Sequence, residues 1–330
     1  GNVPQSYTGH EPATMRAINN NYDSFMQTMN RLSQYYATGH SPEKIELIIM
    51  GGTFPAMPEK YQKDFVAGAF RAANEFSTKF FYKGKFSRKK LNSFNLLFPE
   101  KAKKILIKAK GKPSISREQK RNEKADIRIV TECIETRPDW AKEKQIDNML
   151  GLGATRIELG VQSVYDECLN AVNRGHSVKD TIHATQLLKD SGLKVTYHIM
   201  PGLPLATQEK DIEMFRELFS NSDFMPDGLK IYPCTVMPGT LLEKQWRKGK
   251  FTPLSTEEAS EIISEGKRFV PEWARIHRVQ RDIPAKFYSA GLDKNNLRQM
   301  VEEKCKEIGV KCRCIRCREA GHIANKEARS

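Results

Sequence analysis

Along this chain, short apolar runs alternate with stripes in which apolar residues recur every three or four positions, a pattern that predicts strands and helices in turn. Leu47-Ile48-Ile49-Met50, ending in Gly51-Gly52-Thr53, is too short a run for a helix and predicts a central parallel strand buried on both faces. Before it, Tyr22, Phe25, Met26, Met29 and Leu32 predict one amphipathic helix over 15–38. After it, Pro58 suits a first helical turn, and Tyr61, Phe65, Ala69 and Ala73 line one face. Further strands are predicted over 127–132, 155–161, 195–199 and 228–232. The helices between and after them are marked by Trp140, Ile146, Met149 and Leu150, then by 178–188, 212–219 and 255–269. Five strand–helix units with short connections predict an α/β fold over 1–270, a full or partial barrel with right-handed crossovers. In such sheets ligands meet the carboxyl ends of strands. Those ends carry Gly51-Gly52-Thr53, Glu135 with Arg137, Gln162-Ser163, Met200-Pro201-Gly202 and Tyr232.

Composition narrows the class. With 330 residues and 39% hydrophobic content a core forms without disulfide staples. The lack of an apolar run of about 18 residues, and of a basic-then-apolar leader, predicts a cytoplasmic chain with no membrane partner. The net charge of +14 is concentrated in 79–124, where sixteen Lys and Arg face three acids. Phe80, Phe81, Tyr82, Phe86, Phe94 and Phe98 are interleaved with these cations. Such a block repels itself unless an anion is near, so Lys83, Lys85, Arg88, Lys89, Lys90, Lys103 and Lys104 are candidate nucleic-acid contacts, the rings offering surfaces for bases. The plain alternative is a solvated, partly mobile loop.

Residues 271–330 read as an extension. Alternation over 275–281 predicts a mainly basic strand face, adding Arg275, Arg278 and Arg281 to the candidate contacts. Asp293 is placed to cap a helix whose stripe is Leu297, Met300, Val301, Cys305 and Ile308. Cys312, Cys314 and Cys317, with His322, supply three thiolates and an imidazole within eleven residues, a donor set for tetrahedral zinc. His322 is replaceable as fourth ligand. Cys133, Cys168 and Cys234 read as small core hydrophobes, and His198 as either a barrel-mouth or a structural residue.

Six ordered motifs, taken together, resemble those of the Elongator catalytic-subunit family: Pro4-Gln5-Ser6-Tyr7-Thr8-Gly9, Met50-Gly51-Gly52-Thr53-Phe54, Glu135-Thr136-Arg137-Pro138-Asp139, Glu158-Leu159-Gly160-Val161-Gln162-Ser163, His198-Ile199-Met200-Pro201-Gly202-Leu203-Pro204 and Arg278-Val279-Gln280-Arg281-Asp282-Ile283-Pro284. The resemblance implies a radical S-adenosylmethionine (SAM) enzyme on a partial (β/α)6 barrel, joined to an acetyltransferase-like domain. It implies modification of the tRNA wobble uridine toward 5-carboxymethyluridine with acetyl-CoA as co-substrate. Gly51, Gly52 and Thr53 would meet the amino-acid part of SAM, although many radical-SAM relatives have Glu where Thr53 stands, and Gln162, Met200, Pro201 and Gly202 would line its ribose and adenine. The 4Fe-4S cluster would take its three cysteines from before the segment matching 1–9, outside this sequence together with the first barrel strand. Without those cysteines the polypeptide as written is expected not to generate the radical, and the acetyltransferase domain is likewise expected to lie outside it. Other Elongator subunits and self-association are neither specified nor excluded, and no general acid or base is singled out. The alternative reading is a non-catalytic tRNA-binding module on a barrel scaffold.

Overall fold

A computed structural model describes residues 7, 9–95 and 99–320. Pro4, Gln5, Ser6 and Thr8 of the first motif, Phe98 and His322 lie outside the described residues. The strands are β1 (Lys44–Ile49), β2 (Phe81–Tyr82), β3 (Lys85–Phe86), β4 (Arg128–Thr136), β5 (Arg156–Gln162), β6 (Lys194–Ile199), β7 (Gly228–Ile231) and β8 (Arg275–Arg278). β2 and β3 form an antiparallel hairpin, and the other six make one sheet in the order β1-β4-β5-β6-β7-β8. The pairings of β1 with β4, β6 with β7 and β7 with β8 are parallel, and helices fill the crossovers, as the α/β reading expected.

Three local expectations change. The sheet gains a sixth strand, because Arg275–Arg278 pairs with β7 instead of standing in an extension. β1 lies at one end of the described sheet; Ile49 is its one buried residue and Ile48 is 38% exposed, so its apolar run is not covered on both faces. The single helix over 15–38 is two, Pro12–Asn19 and Ser24–Ala37. Asn21 and Tyr22 break it with φ of 51° and 56°, and the Asp23 carboxylate then accepts from the Met26 N–H to start the second helix.

The described residues divide into two compact units, Ser6–Glu135 with Asp147–Arg156 and Thr136–Ile146 with Ile157–Ser330. The first has an aromatic core built by helices Ser24–Ala37 and Glu59–Phe80: Tyr36 lies 5.5 Å from Phe76 and 4.0 Å from Phe86, ring centre to ring centre. The basic block belongs to this unit and is folded, as the β2–β3 hairpin followed by helices Arg88–Asn95, Pro99–Lys110 and Ile115–Asn122. A buried polar network clamps it. Arg71 and Asn74 donate to the Glu118 carboxylate at 3.1 and 3.0 Å; the Asn122 amide donates to Asn74 and the Ile127 carbonyl, and its oxygen accepts from Ile129 N–H at 2.7 Å. The last basic helix is thereby tied to the start of β4.

The second unit carries β5 to β8. Three of its helices are closed at their amino ends by side chains: capping boxes Ser177/Asp180 and Ser255/Glu258 open Val178–Asp190 and Thr256–Gly266, and Thr207 caps Gln208–Ser220. Asp293 does not cap Leu297–Glu307, whose N-cap is Asn296; its carboxylate instead accepts from the Thr256 hydroxyl. Leu297, Val301 and Cys305 are buried as the stripe predicts. Among the described residues no helix is long and apolar enough to cross a membrane.

Candidate functional site

In the first unit the chain leaves β1 through Gly51-Gly52-Thr53, and Gly52 adopts φ +82°, a conformation that favours glycine over any side chain. The Glu135 carboxylate, delivered by β4, accepts from the Tyr7 hydroxyl at 2.5 Å and from the Gly51 N–H at 3.4 Å. The first motif, the glycine turn and the Glu135 motif, 128 residues apart at the extremes, therefore converge on one carboxylate. That convergence was not legible from spacing.

In the second unit Gln162 ends β5 with φ +71°, a left-handed conformation that costs a non-glycine residue on the order of 1 kcal/mol or more. Its carbonyl accepts from the Met200 N–H at 2.8 Å, which joins the Gln162 turn to the Met200-Pro201-Gly202 turn. The second turn is fixed in its own right: Pro201 carbonyl accepts from Cys234 N–H at 2.8 Å, and Gly202 N–H donates to the buried Asp211 carboxylate at 2.7 Å. Burial pushes the Asp211 carboxyl up to about 7, and the Gly202 N–H draws it partly back. The loop borders a cavity of about 240 Å³ that Asp211, Phe251 and Leu254 also line.

Arg174 was missed by sequence reasoning. Its guanidinium donates to the Gly160 carbonyl at 2.9 Å, and a Cβ at position 160 would stand 2.4 Å from Nη2, so any side chain there would displace the guanidinium. Burial, then the neighbouring Arg137, lowers its pKa to about 10, which leaves it charged. Arg137 is held by Asp139 and also donates to the Gly175 carbonyl. His176, buried behind them, is driven down to about 4 and is a neutral imidazole bonded to the Val161 carbonyl.

The face of β5, β6 and β7 carries a buried charge cluster. His198 Nε2 lies 2.9 Å from Glu158 Oε2, and the Lys230 ammonium donates to the same oxygen. Register explains the meeting, since His198 pairs directly with Lys230 across the β6–β7 ladder. Burial alone would raise the Glu158 pKa, but His198 and then Lys230 hold it far below the ordinary carboxylate range. Tyr232 packs edge-on to the His198 ring, 5.5 Å away. His198 is thus engaged with a carboxylate; Glu158 opened one of the six motifs without a role being assigned to it, and Lys230 had no sequence signal beyond being polar in an apolar strand.

In the same unit the sulfurs of Cys312, Cys314 and Cys317 lie within 4.8 Å of one another. Cys314 accepts from the other two thiols, which holds its pKa well below the usual thiol value, whereas donation to its neighbours and burial hold the Cys312 thiol above it, and, against the bond it accepts from Cys312, donation to Cys314 with burial leaves Cys317 raised as well. Cys133, Cys168 and Cys234 are buried core residues.

The basic candidates separate into two groups. Lys83, Lys85, Arg88, Lys89, Lys90, Lys103 and Lys104 are all solvent-exposed on the first unit. Arg275 and Arg278, in the second, are half-buried and held by acids: Arg275 Nη2 spans both Glu319 oxygens at 3.0 Å, and Arg278 pairs with Asp282 at 2.6 Å. Arg281 is also half-buried.

Comparison with known proteins fits this arrangement. The Radical SAM superfamily model matches residues 19–218, and the Radical_SAM C-terminal domain model matches 226–307. The chain is 50% identical over 99% of its length to a protein of Methanocaldococcus infernus named tRNA uridine(34) acetyltransferase, covering 55% of it. It is 39% identical over 96% of its length to Elongator complex protein 3 of Homo sapiens, covering 52% of that protein. A solved structure of the archaeal Methanocaldococcus infernus Elp3 with an N-terminal deletion superposes with a TM-score of 0.81 at 47% identity, over 94% of this chain and 65% of that one. The chain spans about half the length of the curated relatives it matches.

Proposed function

This chain belongs to the radical SAM superfamily, and from that premise we propose that it is the SAM-binding and tRNA-binding core of an enzyme that modifies the wobble uridine of tRNA. The observation that carries the reading is identity of 50% along 99% of the chain to a protein named for tRNA uridine(34). The finer chemistry proposed is formation of 5-carboxymethyluridine from acetyl-CoA, in a parent enzyme that also provides an acetyltransferase domain.

Membership of the superfamily implies SAM and a 4Fe-4S cluster, which when bound supply one-electron cleavage of SAM. The residues that the resemblance assigns to that ligand fall in both units: in the first, Gly51, Gly52 and Thr53 would offer main-chain groups to an amino-acid moiety, and in the second, Gln162, in a left-handed turn held by Met200 N–H, with Met200, Pro201 and Gly202 would offer a surface to a ribose and an adenine. Arg174 would fix the Gln162 turn through Gly160. Holding reactants in place and excluding water is the protein's contribution to such chemistry.

Affinity for tRNA is assigned to the folded basic block. Changing Lys89, Lys90, Lys103 and Lys104 together to Gln should weaken tRNA binding and flatten the dependence of log affinity on log salt by about three, since each lost phosphate contact removes about 0.7–0.9 from the slope. Gel shifts across a salt series read the effect. An unchanged slope refutes the assignment. Equilibrium dialysis against labelled SAM supplies the other arm: retention of SAM supports the enzyme reading, and tRNA binding without SAM favours a non-catalytic tRNA-binding module.

Cys312, Cys314 and Cys317 are proposed as ligands of one structural zinc, with His322 as the fourth candidate. One zinc per chain is expected by metal analysis, and Cys314→Ser should reduce it to below about 0.2 per chain, because a buried central thiolate is lost. Retention of full zinc by that variant rejects the site.

A further inference from the structure

Interleaved aromatic residues and cations suggest several stacking surfaces in 79–124, but the structure leaves one. Phe80 and Phe81 are buried, Phe86 and Phe94 pack against the aromatic core, and Tyr82 alone among the described rings of the block is exposed, at 66%. Strand alternation accounts for this. In the β2–β3 hairpin Phe81 pairs with Phe86 and both rings turn inward onto Tyr36, 5.9 and 4.0 Å away, while Tyr82 pairs with Lys85 on the outward face. The turn residues Lys83 and Gly84 both have positive φ, 48° and 73°, as a tight two-residue hairpin requires, and Ser87 N–H closes onto the Phe80 carbonyl at 2.7 Å. Tyr82 is therefore a ring presented to solvent on a braced support.

Cations surround it. Lys83 Nζ lies 5.6 Å and Lys90 Nζ 6.0 Å from the ring centre. Lys90 also rims a groove of about 480 Å³, floored by Phe80, Phe94 and Ile105 and bordered by Lys79 and Lys89. An exposed ring next to ammonium groups and an apolar groove complements a ligand that carries a flat face and a negative charge on the same unit. A base inside a duplex has both faces covered by its neighbours, so it cannot use this ring. We propose that Tyr82 is a stacking platform for one unpaired nucleotide of the bound RNA, with Lys83 and Lys90 meeting its phosphates. The inference deepens the tRNA-binding reading and rests on it.

Tyr82→Ala, Tyr82→Phe and Tyr82→Trp separate stacking from charge and from the hydroxyl. Loss of one base stack weakens binding by about 5- to 150-fold. Tyr82→Ala should lose affinity for tRNA in that range with the salt slope unchanged, because no phosphate contact is removed. Tyr82→Phe and Tyr82→Trp should bind within about twofold of the parent chain, and fully paired RNA should not distinguish Tyr82→Ala from it. The exposed position leaves the core intact, which equal thermal midpoints of Tyr82→Ala and Tyr82→Phe check. If the parent chain binds tRNA and Tyr82→Ala binds it equally well, the platform is rejected and the tRNA reading stands. If the parent chain does not bind tRNA, both fall. An equal loss in Tyr82→Phe also rejects stacking, in favour of a hydroxyl contact.

Discussion

Glu118→Ala should cost the first unit about 3–5 kcal/mol, the usual result of removing one partner from a buried ion pair. Glu118 is 0% exposed and is the point at which Arg71, Arg117 and Arg121 meet, with Asn74 donating to the same carboxylate. Without it, guanidiniums packed together at the junction repel one another, and Asn74 loses an acceptor. A stabilisation of that size corresponds to roughly 6–20 °C in the midpoint of thermal unfolding, at about 2–4 °C per kcal/mol. Burial would raise the Glu118 pKa, but Asn74, Arg71 and Arg121 outweigh it and leave it lowered. A lowered carboxylate contributes stability that is present above its unfolded value and lost as pH falls through the folded one. The contribution should therefore survive down to pH about 4.5 and disappear in more acid solution. Because the junction holds helix Ile115–Asn122 against Glu59–Phe80, tRNA affinity should fall in the same variant through loss of the ordered block. A midpoint within about 2 °C of the parent chain sinks the argument.

How much of this was legible in the sequence depends on the kind of residue that carries it. Strands with continuous apolar content or clear alternation were readable, because solvent exclusion selects their residues one by one: all residues of β5 except Gln162 are buried, and so is the whole of β7. The glycine turn and the Gln162 and Met200 turns were readable as strand ends. The basic block was the largest difference. Its charge pointed to an anionic partner and predicted no secondary structure, the solvated loop being the alternative, yet helix Pro99–Lys110 buries Leu106 and Ala109 on its inner side, and lysine is a good helix former. The ties that order it, Asn74 to Glu118 and Asn122 to Ile129, link residues chosen for hydrogen-bond geometry, which leaves no periodic trace. The aromatic residues misled in the opposite sense, since composition cannot tell a ring turned to solvent from one turned inward. The Glu158, His198 and Lys230 cluster shows the same limit. Each residue is one polar position in its strand, and only the order β5-β6-β7, with His198 paired to Lys230, makes them partners.

Glu132→Gln should make the first unit more stable at neutral pH and above, and it tests what β4 tolerates on the face opposite Glu135. Glu132 is 1% exposed, and both carboxylate oxygens are buried without a hydrogen-bond partner. Gln119, whose amide borders Gly153 as Glu132 Oε2 does, donates to the Leu152 carbonyl. Burial accordingly pushes the Glu132 carboxyl up to about 8, so at pH 7 the folded unit holds it mostly protonated while the unfolded chain releases the proton. The sign follows. A pKa raised on folding gives stability that is complete below the unfolded value of about 4.5 and lost as pH rises toward 8, because the folded state binds more protons throughout that window. At about 1.4 kcal/mol per pH unit the whole loss is at most about 4–5 kcal/mol, with no further slope from this group above pH 8. Glutamine keeps the shape and does not ionise, so its variant should show a flatter profile from pH 5 to 8 and a clear advantage at pH 8. Urea midpoints at pH 5, 6.5 and 8 read both arms. Parallel curves for parent and variant would mean that Glu132 finds a compensating partner when ionised, and the buried acid would then have no bearing on stability.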